Sequence, residues 1–294
     1  MTSSRGSAFP VGQHFIPEML QKRFIDANGM LWAYDRRRPE RGFFRTAPKG
    51  LFKERHLYTV PGPDGAPNDL VERALGMIES AANPVIDRVV KHVRAGGGWD
   101  LTKDERTILL LFLHVQIKRC PEFFRGLSFD APLRDLVEKS IAIWEALNGP
   151  MPPEDRERHL SPDSLADIEI FARMGTMMSL SPAVVAALDG RGLTIACIRR
   201  PDRRFILGSN PAIRFCSPSG RQDLDDPRVE LWLPIAPDIA IGSYGPRHLN
   251  QVVHLKHDPP IRKMNEQLAH LSNTIASSSR DLLRSLSRRL PPRS

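Results

Sequence analysis

The stretch LTKDERTILLLFLHVQIKRC, residues 101–120, limits the fold more than any other. Thr102 followed three positions later by Glu105 reads as a capping box, in which the hydroxyl and the carboxylate satisfy backbone N–H groups that the first helical turn leaves free. The helix it starts is apolar almost all round, and Pro121 stops it. A helix without a polar face has to be enclosed by the rest of the chain, so this one belongs at the centre. Yet His114, Gln116, Lys118 and Arg119 lie in or just after its apolar run. Stranding a buried polar group costs about 1–3 kcal/mol, so each needs a partner. Glu72 and Glu79, seven apart on one face of the preceding helical stripe, are placed to offer Arg119 a carboxylate.

That stripe runs from Asn68 to Val93, with Leu75, Ile78, Ala82, Val85, Ile86 and Val89 at helical spacing and a kink expected at Pro84. Upstream, Pro17 suits the first position of a short helix over 17–26, with His14 three residues ahead of it. MLWAYDR (30–36) alternates as a strand and pairs naturally with GFFRTA (42–47). Further helices are expected over 131–148 and 161–188, with GPMPPEDRER between them as a surface loop or a subdomain boundary near 149–160. LTIACIRR, RFILG, VELWLP and QVVHLKH, between 193 and 257, then read as strands. The expected fold is α+β, with a mostly helical first two thirds, a small carboxy-terminal antiparallel sheet and a closing helix. Residues 1–12 read as a disordered amino terminus, 13–278 as one domain and 279–294 as a basic amphipathic tail.

At 294 residues and 41% hydrophobic content the chain can bury a substantial core. Its net charge of +8 favours polyanions as partners, and the last 33 residues carry seven Lys or Arg against two acids. The tail places Arg280, Arg284 and Arg288 at fourfold steps, with leucines on another side. It reads either as a helix docking on the body or as a contact for nucleic acid or another polyanion. Three cysteines without CxxC spacing argue against a disulfide framework or structural zinc and for a reducing, cytoplasmic setting. TILLLFLHVQI (107–117) is too short to span a bilayer, so no transmembrane segment is expected.

Taken in order, HFIP with LQKRF, the helix bearing Glu72 and Glu79, QIKRCP, a strand leading to GSNP, and LWLPIAPD resemble an uncharacterised bacterial family catalogued as domain of unknown function 4238. The resemblance brings no activity. It implies an Asp before the Asn-Pro pair, where this chain has Ser209; if that Asp served as a metal ligand or general base, this chain would be impaired.

Four residues stand out as a candidate site: His14, Glu79, Arg119 and Asn210. His14 precedes a helix start, whose free N–H groups suit a phosphate, or it is a packing histidine. Arg119 with Glu79 is a structural ion pair or an oxyanion clamp oriented by a carboxylate. Asn210 sits in a tight turn restricted by Pro211, which is structural or faces a ligand. His254, His257 and Asp258 lack the spacing of a metal site, and no pattern names a cofactor. Two functions follow. One is binding, extending to hydrolysis, of a phosphate-bearing ligand such as nucleic acid, with His14 as acid or base. The other is a non-enzymatic interaction module with a structural polar core.

Overall fold

The computed structural model describes residues 12–62, 67–126, 132–179 and 181–291. The segment expected to be disordered lies outside them, apart from Gly12, which opens the first strand. In chain order come β1 (Gly12–His14), α1 (Glu18–Gln21), β2 (Leu31–Asp35), β3 (Phe43–Thr46), β4 (Lys53–Arg55), β5 (Val60–Pro61) and β6 (Pro67–Asn68). Seven helices follow: α2 (Leu70–Arg94), α3 (Lys103–Lys118), α4 (Pro121–Gly126), α5 (Leu133–Asn148), α6 (Pro153–His159), α7 (Pro162–Met178) and α8 (Pro182–Asp189). The carboxy-terminal part holds β7 (Arg191–Ile198), β8 (Leu207–Gly208), β9 (Ile213–Phe215), β10 (Glu230–Ala236), β11 (Ile239–Pro246), β12 (Gln251–Leu255), α9 (Asp258–Leu271), β13 (Thr274–Ser277) and α10 (Arg280–Ser287).

The fold is α+β, but the expectation of one small antiparallel sheet needs correction. A five-stranded sheet runs β12-β7-β11-β10-β9, and a four-stranded sheet runs β3-β2-β13-β8. In the first, β12 lies parallel to β7, because the chain leaves β11 and steps past β7 to its far side. The second joins the two ends of the chain: β2 pairs with β3 on one side, as expected, and with β13 on the other. The chain passes from one sheet to the other at Ser209-Asn210-Pro211-Ala212, between β8 and β9.

Local chemistry explains where elements start and stop. The capping box at Thr102 and Glu105 is formed. Helix α2 runs on through Pro84. Helix α1 is only one turn long, with Pro17 as its cap rather than its first residue. The fully buried Gln21 side chain donates to the carbonyls of Ile16 and Leu51, which ties the chain down where a longer helix was expected. The loop expected at 149–160 contains α6. The helix expected over 161–188 is two, because Ser181 caps α8 at the Val184 amide. Together 162–189 are long and apolar enough by composition to cross a membrane.

The closing segment docks rather than trails. Leu283 and Leu286 of α10 are buried, the Arg280 guanidinium lies over the Trp32 ring, and Arg284 and Arg289 pair with Asp281 and Glu266. Beneath it the buried Arg36 donates to the carbonyls of Ala269, His270 and Ser272 where α9 ends, and to that of Pro291. Amphipathicity alone does not separate a docked helix from a free basic tail; the buried leucines decide for docking. Arg293 lies outside the described residues.

Helix α3 is central, as its composition demands, with Leu109, Leu110, Phe112 and Leu113 in the core. His114 is 5% exposed and neither ring nitrogen has a partner among the described residues. Burial, with Lys118 and Arg214 adding to it, lowers its pKa to about 4. A histidine kept neutral this way contributes its stability fully above the unfolded value near 6.5, and that contribution is lost as pH falls toward 4. His114→Phe should therefore flatten the acid limb of stability between pH 6.5 and 4. The expected gain over the native chain at the acid end is on the order of 3 kcal/mol, read from urea melts at a series of pH values.

Candidate functional site

The last turn of α3 brings together elements that are far apart in sequence. Arg119, 1% exposed, donates from Nη1 to Glu79 Oε1 of α2 at 2.6 Å and from Nη2 to the His14 carbonyl at the end of β1. The hydroxyl of the buried Tyr58 donates to the Arg119 carbonyl. Next along the chain, the Cys120 thiol donates to the Gln116 carbonyl and lies 3.8 Å from Asn210 Oδ1. His14, Glu79 and Asn210 thus all meet the Arg119-Cys120 pair. The fork that was a candidate oxyanion clamp is filled from within the protein, and Arg119 Nε is buried without a partner among the described residues.

Other polar atoms without partners among the described residues gather around the same junction. They include His14 Nε2, Glu72 Oε2 and Glu122 Oε2. Burial lowers the His14 pKa, opposed by Glu18 and by the Pro48 carbonyl and reinforced by Lys53 and Arg119, so the ring is neutral at neutral pH. Burial raises the Glu72 pKa against the pull of Arg119, and Glu79 and Asp69 push it the same way. A base kept neutral and an acid inclined to keep its proton are the two halves of acid–base chemistry. Burial also raises the Tyr58 and Cys120 pKa values, which makes both groups hydrogen-bond donors rather than nucleophiles.

A second layer fixes the Asn210 turn. The Ser209 hydroxyl accepts from the amides of Asn273 (2.9 Å) and Thr274 (3.3 Å) and donates to Glu122 Oε1 (3.0 Å), which also accepts from Asn273 Nδ2 (2.7 Å). Ser272 Oγ accepts from the Asn210 amide at 3.1 Å and donates to its carbonyl. Gly208 makes this possible, since a Cβ there would come within 2.1 Å of Ser272 Oγ. Sequence reasoning picked out the Arg119-Glu79 pair from the burial of a charge but passed over Tyr58, Glu122 and Asn273. They carry no periodic signal, and only tertiary packing brings them in. Among the described residues no group of three or more His, Cys, Asp or Glu is arranged to hold a metal ion.

Arg119→Ala should cost about 3–5 kcal/mol, because it leaves Glu79 facing Glu72 with no cation beside them. Arg119→Lys should also destabilise, since one ammonium cannot serve both a carboxylate and a carbonyl in the directions a fork does. Thermal melts of both variants within about a degree of the native chain would show that the pair contributes nothing.

Neither the curated proteins nor the solved structures contain a match to this chain. The family model described as "Protein of unknown function (DUF4238)" matches residues 12–281. That span takes in β1 with His14, both Glu72 and Glu79, the Arg119 junction and the Asn210 turn, so the candidate site lies wholly within the matched region. The chain belongs to the DUF4238 family.

Proposed function

We propose that the Arg119 junction binds a phosphate-bearing ligand, with nucleic acid as the class best suited to a chain of net charge +8, and that it is equipped for hydrolysis of that ligand. The observation that carries the reading is His14: a neutral imidazole with a buried, unpartnered Nε2, on a strand edge lined with cations. Lys53 lies opposite it in the β1–β4 pair, and the exposed Lys49 and Arg55 lie close to Lys53 in sequence. An anion drawn in by these cations meets an imidazole that can take a proton. In this reading Glu72 is the acid, Asn210 positions the ligand, and Arg119 with Glu79 organises the site without clamping the ligand itself. The three cysteines, all free, support a cytoplasmic setting.

A second reading, the non-enzymatic interaction module, has its own observation. Ile143 and Leu147 on α5 are 65% and 81% exposed, with Trp144 beside them, and Phe171 and Val185 on α7 and α8 are about half exposed. Apolar side chains presented this way are usual at protein contacts.

The test reads His14 directly. Its ring proton resonances, identified by their absence from His14→Gln, should shift when a twelve-nucleotide single strand or inorganic phosphate is added. The His14 pKa should rise, because a bound phosphate favours the imidazolium. His14→Gln should melt close to the native chain. Resonances that stay put at saturating phosphate and strand would leave the interaction module as the better reading.

A further inference from the structure

We infer that a second cavity, under the sequence RRPDRR at 199–204, is a binding site for the phosphodiester backbone of nucleic acid. The inference shares with the reading above its choice of polymer but not its site. The cavity, of about 450 Å³, lies where the end of α2, the end of β7 and the β10–β11 turn meet the loop that follows β7. Five arginines line it, Arg94, Arg199, Arg200, Arg203 and Arg204, against one acid, Asp238.

Some of that charge is spent within the protein. Arg94 pairs with Asp238 through both ends of its fork, at 2.8 and 2.6 Å. Arg200 and Arg203 share Asp202 and Asp258, at 2.6 to 3.1 Å. Arg199 and Arg204 have only neutral acceptors among the described residues. Arg199 donates to His254 Nδ1 and to the Val93 carbonyl, and Arg204 donates to Ser278 Oγ. Five guanidiniums therefore face three carboxylates, and the two left over keep donors directed by neutral contacts that do not cancel their charge. Planar forks of this kind suit phosphate oxygens.

The rest of the lining says which phosphate. Among the described residues it is proline, isoleucine and cysteine, with no aromatic ring to stack a base and no amide side chain to read one. A free nucleotide would find its phosphates held and its base unsupported. A polymer contacted through its backbone alone needs neither. Position adds a link: the cavity and the Arg119 junction lie at the two ends of one short segment, which runs from Arg204 through β8 to Asn210.

The experiment measures fluorescence anisotropy of a labelled twelve-nucleotide single strand, and of the matching duplex, against the full chain over a range of salt. The variants are Arg199→Gln with Arg204→Gln, and the same pair changed to Lys. The Gln pair is expected to weaken binding at least tenfold at low salt and to lower the log–log salt slope by about 1.4 to 1.8, which corresponds to two phosphates no longer neutralised. The Lys pair should recover most of both, because charge rather than the exact fork sets the slope. Melting curves near the native one guard against a folding defect, and if the Gln pair does not fold, the Lys pair and single Arg204→Gln replace it. An unchanged slope overturns the inference. So does failure of the native chain to bind either polymer, or displacement of the strand by micromolar pyrophosphate, which would make the ligand a free oligophosphate. An unmoved His14 resonance alongside an arginine-dependent slope would sink the Arg119 reading alone.

Discussion

A guanidinium with 1% exposure fixes the centre of this molecule. Arg119 follows the last turn of a helix that is otherwise apolar, and its position is tolerable only because α2 supplies Glu79 and β1 supplies a carbonyl. Each of those partners lies on a different element, so satisfying one side chain sets the distance between α2 and α3 and anchors the first strand against both. Removing the arginine would cost far more than the pair adds in isolation, since what is lost is the solvation of a charge already committed to the interior.

The same device recurs where loops and helix ends must be closed. The buried Arg191 donates to the carbonyls of Leu224, Asp226, Val229 and Ser243, which holds the long connection before β10 against β7 and β11. Arg106 ties α3 to the end of α8 through the carbonyls of Asp189 and Arg191. Arg36 closes the end of α9. Carbonyls at the end of a helix have no partner within it, and a guanidinium reaching several at once satisfies them without a second charge. Much of the formal positive charge is therefore structural. Arg199 and Arg204, by contrast, have neutral acceptors and no carboxylate partner among the described residues.

What could be read in the sequence was whatever depends on near neighbours. The capping box at Thr102, the strand pair 31–35 with 43–46, and the need of Arg119 for a carboxylate all follow from residue type and short spacing. What could not be read depends on which distant segments meet. The parallel pairing of β12 with β7 leaves no mark in QVVHL, which looks the same with a neighbour on either side and in either direction. Strand β13, TIAS, is short and follows a helix, and only its insertion between β2 and β8 makes it a strand. Glu122 stands in the first turn of α4, and only the β8–β9 corner, packed on it through Ser209, gives it a role.

That corner bears on the aspartate that the family resemblance implies before Asn210, where this chain has Ser209. An aspartate offers only acceptors when ionised, and here it would set a second carboxylate within hydrogen-bond distance of Glu122, a pair that cannot both stay charged without raising one pKa. Serine avoids the conflict, because its hydroxyl accepts the Asn273 and Thr274 amides while donating its proton to Glu122. The turn therefore does not lack a carboxylate. It is supplied by α4 instead of by the turn, with Oε1 fixed by Ser209 and Asn273 and Oε2 buried without a partner among the described residues. The carboxylate held beside the Asn210 turn is that of Glu122, and Ser209 is the residue that makes room for it.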